Sequence, residues 1–131
     1  MCHRIGLWVI GMCIGCAILV SGCPAVLVGA GAVGTMAYLE GDLKSVEPHS
    51  IDKVYAATQK TLKDLGMMVV KDTKEKARAE ISARDVEDRK ATIVLTTQYE
   101  GITNISIRIG VFGDETRSRS LYMKIHQLLQ P

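Results

Sequence analysis

The feature that most constrains this chain is a long uncharged stretch at its start. No charged residue occurs between Ile5 and Leu39, and Arg4 is the one basic side chain before it. Residues 5–20 form an apolar run long enough for a secretory signal, whose core usually has about 7–15 residues. The same run is marginal for a permanent membrane span, which needs about 20 residues. The sequence therefore predicts an export signal over residues 1–22, with membrane helices retained within residues 5–39 as the alternative.

Small residues follow this run directly before a cysteine. The segment Leu19-Val20-Ser21-Gly22-Cys23 resembles the lipobox of bacterial lipoproteins, in which the cysteine thiol receives a diacylglycerol. The resemblance implies cleavage between Gly22 and Cys23 and, usually, acylation of the new amine. Val20 is a small departure from the pattern, because leucine is commoner three residues before the cysteine. We therefore expect a lipid anchor on Cys23.

The residue after the cysteine indicates whether the protein is expected in the inner or the outer membrane. Two or three acyl chains anchor a protein stably, whereas one binds only marginally. In lipoprotein sorting, as the resemblance implies, an aspartate after the cysteine favours retention in the inner membrane, a rule that differs between bacterial groups. Pro24 stands at that position. The expected location is the outer membrane, facing the periplasm.

The cysteines are all confined to the first 23 residues, at Cys2, Cys13, Cys16 and Cys23. Cys13 and Cys16 have the spacing of a redox motif, but such a motif acts beside a folded thioredoxin-like unit and not within an apolar signal. Cleavage before Cys23 would leave only that cysteine, with its sulfur alkylated. The exported domain is thus expected to be held together by packing without a disulfide.

Glycines at positions 29, 31 and 34 have the spacing of a dinucleotide-binding loop. Such a loop needs a helix behind it and an acidic residue that closes a second parallel strand. The segment 35–39 is too short for that helix before Glu40, Gly41 and Asp42 interrupt it. The glycines and alanines of residues 23–36 are therefore interpreted as a spacer, and we expect no nucleotide cofactor.

Residues 37–131 have the composition of one small globular domain. Loss of Arg4 with the signal would leave 15 of the 16 basic residues against 14 acidic ones. This balance gives no basic face for nucleic acid. Basic and acidic residues alternate between Lys71 and Lys90, which is typical of a solvated hairpin surface.

Periodicity predicts an α+β domain in the order β-α-β-β-β-β-α, with an antiparallel sheet of four to five strands and both helices on one face. Ser50 and Asp114 are the expected N-caps, and Gly66 the expected stop of the first helix. The predicted strands are residues 38–46, 67–72, 78–84, 91–98 and 103–109, and the predicted helices are residues 51–65 and a closing helix from position 114. Leu39 alternates with charged residues in the first strand and is expected to be buried, as are Leu65 and Leu128 on the apolar stripes of the two helices.

A second resemblance covers nearly the whole mature chain. It is carried by the lipobox, the spacer, "DKVYAATQKTLKDLG" over residues 52–66, and "GVFGDE" over residues 110–115 followed by Ser118. These segments resemble a family of small bacterial lipoproteins of unknown function. The resemblance implies export, lipidation and this domain order, but no activity and no catalytic residues. The element order is also weakly similar to helix-grip modules of outer-membrane assembly lipoproteins, an analogy that concerns the fold alone.

The histidines give no metal or catalytic constellation. His49 and His126 lie far apart without cysteine or acidic partners at ligand spacing, and are predicted to be a loop residue and a helix-surface residue. Ser118 and Ser120 precede His126 on the last helix, but a nucleophile needs an oriented base and an oxyanion hole. Eight residues separate Ser118 from His126, which is about 12 Å along a helix. We expect no metal, no cofactor and no enzymatic activity.

Two further turns, at residues 85–88 and 112–115, carry acidic residues that could bind a ligand or a partner. Asp85, Glu87 and Asp88 lack the central glycine and terminal glutamate of a calcium loop and are predicted to form a charged hairpin tip. Phe112, the single phenylalanine, either packs under the last helix or forms an exposed recognition corner. In the second case Gly113, Asp114 and Glu115 would belong to the same corner, because binding often resides at the ends of elements.

These observations predict a lipid-anchored, non-enzymatic envelope protein whose domain binds or supports another envelope component. The rival interpretations are a membrane-tethered hydrolase or redox enzyme, and an integral membrane protein that keeps its apolar start.

Overall fold

The computed structural model of the protein describes residues 36–131. The predictions for Gly22, Cys23 and most of the spacer therefore concern residues outside the described part. The elements are β1 Met36–Leu39, β2 Asp42–Glu47, α1 Ile51–Asp64, β3 Met68–Lys74, β4 Arg78–Arg84, β5 Lys90–Tyr99, β6 Ile102–Ile109 and α2 Glu115–Leu129.

The six strands form one antiparallel sheet in the order β1-β2-β6-β5-β4-β3. Helix α1 packs on β3 to β6, and α2 packs on α1, β2 and β6. Alternate residues of the strands face both helices, so one face of the sheet and the two helices enclose a single core. The α+β class and the antiparallel sheet are confirmed, whereas four to five strands and the order β-α-β-β-β-β-α are wrong.

The difference lies in the first strand, because the segment predicted as one strand over residues 38–46 is a hairpin. Glu40 and Gly41 have φ angles of 54° and 87°, and positive φ at both central residues is the mark of a two-residue turn that matches strand twist. Tyr38 pairs with Leu43, and Leu39 with Asp42. The turn puts Leu39 on the outer face, where it is 39% exposed instead of buried as its alternation predicted.

Helix α1 begins and ends where the sequence predicted, within one residue. Ser50 occupies the N-cap position but its side chain makes no capping bond. Gly66 has a φ of +67°. The N–H of Gly66 donates to the Lys63 carbonyl and that of Met67 to the Leu62 carbonyl, at 3.0 and 2.9 Å, which is a Schellman ending that only a residue tolerant of left-handed backbone forms readily.

The inward faces of the central strands agree with the predicted alternation. Ala79, Ile81 and Ala83 of β4 are buried, as are alternate residues of β5 and β6. Strand β3 differs from these strands, since every residue of it is exposed at the edge of the sheet although its first residues are apolar. Leu65 and Leu128, both predicted to be buried, are exposed as well.

No helix within residues 36–131 combines the length and the apolar character needed to cross a bilayer.

Ile107 is expected to carry a large share of the core energy, because it is fully buried in β6 between the two strands that pair with it. Ile107→Ala should lower the free energy of unfolding by about 2–5 kcal/mol, since it removes buried methyl groups and leaves a cavity. Ile102, on the same strand and only partly buried, is the matched control. Urea unfolding should show a clearly smaller loss for Ile102→Ala, and equal losses would contradict the assigned sheet face.

Candidate recognition site

The chain makes a tight corner between β6 and α2, which we call the recognition corner and define as residues 110–115. Gly110 and Gly113 have φ angles of +78° and +83°, and the Gly110 N–H donates to the Lys90 carbonyl at 2.8 Å. Between the glycines, Val111 is 83% exposed and Phe112 is 91% exposed. The interpretation that Phe112 packs under the last helix is therefore wrong, because the two glycines turn the segment outward.

The backbone of this corner is in close contact with the β1–β2 turn. A Cβ atom built on Gly113 would lie 2.5 Å from the Tyr38 hydroxyl and would also meet the backbone of Gly41. A Cβ atom on Gly41 would lie 2.6 Å from the Phe112 carbonyl oxygen. The two glycines thus permit a backbone approach that no side chain would allow, and this contact fixes the position of the exposed pair.

The acidic residues of the corner bond within the domain. Asp114 is the N-cap of α2, its Oδ1 accepting from the Arg117 N–H at 3.0 Å, and its Oδ2 lies 3.1 Å from the Arg117 guanidinium. Glu115 pairs with Arg119 at 2.7 Å. Asp114 and Glu115 therefore hold the helix start, and the exposed surface of the corner comes mainly from Val111 and Phe112. Sequence reasoning missed Val111, although its place beside Phe112 between two glycines was visible.

The β4–β5 turn lies at the same end of the sheet and carries another exposed apolar residue. Val86 is 91% exposed, while Asp85 accepts hydrogen bonds from the Glu87 and Arg89 backbone N–H groups at 2.8 and 3.0 Å. The bond from the Arg89 backbone is the main cause that lowers the pKa of Asp85 below its ordinary value. Arg117 reaches this turn, with a guanidinium nitrogen 3.9 Å from Asp85. The predicted charged tip therefore lies within ion-pair distance of α2.

Gly113→Ala is expected to destabilise the domain more than a glycine change at an open turn. The new Cβ would meet backbone atoms that cannot move aside, in addition to the cost of a left-handed backbone, which is about 1 kcal/mol or more. Gly101 has a φ of +76° with nothing within 4 Å of its added Cβ, so Gly101→Ala measures the backbone cost alone. Thermal unfolding should give a lower Tm for Gly113→Ala than for Gly101→Ala. Equal Tm values would contradict the close contact between the backbones of Gly113 and Gly41.

A second cluster lies at the opposite end of the sheet and is built on a buried carboxylate. Glu47, at the end of β2, is fully buried. The Tyr122 hydroxyl donates to Glu47 Oε1, and Ser45 Oγ donates to the Tyr122 oxygen at 2.8 Å. His126 Nδ1 lies 3.0 Å from the same Glu47 oxygen, with its ring stacked on that of Tyr122. His126 was predicted to be a helix-surface residue, and this contact corrects that prediction.

The cluster links α2 to β2, and within residues 36–131 no serine or threonine hydroxyl is hydrogen-bonded to its imidazole. His126 Nε2 lies 2.9 Å from the Gln130 amide nitrogen, and among the described residues no hydroxyl bonds to it. Ser118 is buried, with no hydrogen-bond partner for its Oγ within residues 36–131, and Ser120 lies with Lys124 on the rim of a shallow depression beside His126. Sequence reasoning missed Glu47 because it precedes Pro48 in a segment that gave no sign of burial.

Titration of Tyr122 is expected to limit stability in alkali. Burial, and then the hydrogen bond to Glu47, raises the pKa of Tyr122 above its ordinary value. Because the pKa of Tyr122 is higher in the folded state, the protonated side chain contributes to the free energy of unfolding. This contribution is fully present below the unfolded pKa of about 10 and is lost as the pH rises towards the folded pKa. Tyr122→Phe should therefore flatten the fall of unfolding free energy above pH 10. At pH 7 it should cost about 1–3 kcal/mol, because it leaves Glu47 and Ser45 without their shared partner.

The matched control is Tyr99→Phe, since Tyr99 is 60% exposed. Urea unfolding measured from pH 7 to 11 should show little effect of that change. An alkaline slope for Tyr122→Phe equal to that of the unchanged protein would contradict the assignment.

Within residues 36–131, no group of three histidine, cysteine or acidic side chains is placed to hold a metal ion. The fold and the corner define a class of protein, namely a small α+β domain with one open antiparallel sheet and exposed apolar residues at one end of it. The chain belongs to the DUF3568 family of proteins of unknown function, whose pattern matches residues 6–127. The sequence matches no curated protein.

Proposed function

We propose that this protein is a lipid-anchored, non-enzymatic component of a bacterial cell envelope, held by Cys23 at the outer membrane and facing the periplasm. Its folded domain acts as a binding or structural module through the recognition corner. The exposure of Phe112 on a braced backbone is the observation that carries the binding part of this proposal.

The anchor part is supported by the order of features at the start of the chain. A basic residue, an apolar run and small residues before Cys23 follow one another in the order that lipoprotein signals have. The family pattern begins at residue 6, within the apolar run, so it includes this start together with the folded domain. This favours a function in which the export segment and the domain belong together.

The binding part is supported by the free-energy cost of the conformation that the corner adopts. A fully exposed phenylalanine gains nothing from burial, and left-handed glycines on both sides cost conformational entropy on folding. Aromatic residues held in a fixed conformation are the usual anchors of binding surfaces, because little freedom is lost when they bind. The corner has the character of such an anchor.

The absence of enzymatic activity is a proposal that draws on the second cluster. A catalytic histidine would face a nucleophile or a substrate site with its free nitrogen. His126 instead bonds to Glu47 on one side and lies beside Gln130 on the other. This arrangement favours a role in fixing α2 to the sheet.

Cys23→Ala is expected to abolish incorporation of labelled palmitate in a bacterial host, because the thiol that receives the diacylglycerol is gone. Cys16→Ala is the matched control, since it alters a cysteine of the same apolar start without touching the lipobox, and it should keep the label. Label that persists in Cys23→Ala, or never appears in the unchanged protein, would refute the anchor. An uncleaved chain in the membrane fraction would then indicate an integral membrane protein.

A further inference from the structure

We infer that the recognition corner and the neighbouring β4–β5 turn dock on the lipid bilayer itself, with Phe112, Val111 and Val86 entering the boundary between head groups and acyl chains. This inference rests on the proposed function, since it concerns the bilayer that carries the Cys23 anchor. It names the ligand of the corner as a zwitterionic lipid surface.

The arrangement of the exposed apolar side chains fits a planar apolar layer. They come from separate loops at one end of the sheet: Leu39 beside the β1–β2 turn, Val111 and Phe112 in the corner, and Val86 in the β4–β5 turn. At about 4.8 Å per strand, these loops are spread over roughly 14 Å. A protein partner usually offers a packed pocket to one contiguous apolar centre. Single apolar side chains on neighbouring loops fit a deformable, planar and uniformly apolar layer instead.

The charged residues around these apolar side chains fit a zwitterionic surface. The same end of the sheet carries both signs in ion pairs, with Arg108 to Asp42 at 2.5 Å and Arg84 to Asp88 at 2.8 Å as examples. The acidic residues there are Glu40, Asp42, Asp85, Glu87, Asp88, Asp114 and Glu115, and the basic ones are Arg84, Arg89, Lys90, Arg108, Arg117 and Arg119. A mixed rim is not drawn to an anionic surface as a polybasic segment is. It complements head groups that present a phosphate and an ammonium together.

The length of chain after Cys23 allows the corner to contact the bilayer. Met36 follows Cys23 by 13 residues, which can extend at most about 45 Å. Strand β1 then carries the chain over about 10 Å from Met36 to Leu39, where the β1–β2 turn contacts the corner. The anchored cysteine and the corner can therefore lie in the same membrane plane. Tethering raises the local concentration of the corner at the bilayer, so a weak interaction suffices.

The test uses the full lipidated protein purified from membranes and reconstituted into phosphatidylethanolamine and phosphatidylcholine vesicles with brominated acyl chains. The sequence contains one tryptophan, Trp8, which cleavage before Cys23 would remove. Phe112→Trp then reports on the corner alone. We expect its emission to shift to the blue and to lose most of its intensity when the brominated lipids replace ordinary ones.

Tyr99→Trp is the matched control, because Tyr99 is exposed at the opposite end of the sheet. Its emission should be the same in both kinds of vesicle. Quenching of both variants, or of neither, would overturn the inference. A blue shift of Phe112→Trp without quenching would indicate burial against a second copy or another protein and would also overturn it.

Failure of the anchor is seen separately. The mass of the purified protein reports whether Cys23 carries lipid before any vesicle is made. An unmodified cysteine removes the anchor and this inference together, whereas a lipidated protein whose corner is not quenched refutes the inference alone.

Discussion

The pairing of β2 with β6 is the contact on which the rest of the domain depends. It joins residues 43–47 to residues 103–107, so it closes a loop that contains α1 and three strands. This closure has an entropic cost that grows slowly with loop length, and the burial of Leu43 against Ile107 offsets it. Once β2 lies beside β6, the β1–β2 turn reaches the corner at one end and Glu47 reaches α2 at the other.

The parts of this fold that sequence could predict are those encoded locally. The Schellman ending at Gly66 and the cap by Asp114 each need one residue type at one position. Alanine and isoleucine at every second position of β4, and isoleucine at positions 105, 107 and 109 of β6, likewise specify a buried face with a period of two. These elements were predicted with nearly the observed bounds because no distant contact decides them.

The parts that sequence missed are decided by contacts between distant residues. The β1–β2 turn places the non-glycine residue Glu40 at a positive φ, which few side chains adopt, so the alternation seemed to continue through it. Phe112 would ordinarily be assigned to a core on hydrophobicity alone. Its exposure follows from the packing of Gly113 on Gly41, which the sequence does not reveal.

Glu47 and His126 show the same limit for polar residues. A glutamate before a proline predicts a solvated strand end, and a histidine on the polar side of a helix predicts a surface position. The register of β2 on β6 places Glu47 on the inner face opposite Thr103, and α2 then supplies Tyr122 and His126 to it. A buried carboxylate needs hydrogen-bonding partners, and only tertiary packing shows where they come from.

These contacts explain why the corner can be rigid while its side chains are exposed. Helix α2 is held at its start by the Asp114 cap and at its far end by the bonds of Tyr122 and His126 to Glu47. The segment between β6 and α2 is therefore held at one end by the sheet and at the other by the helix. The Gly41–Gly113 contact holds its middle. A loop with this support keeps Phe112 out of the core even though its burial would be favourable. The backbone of the fold therefore holds this aromatic ring out of the core, and that is the physical reason for the proposed binding role.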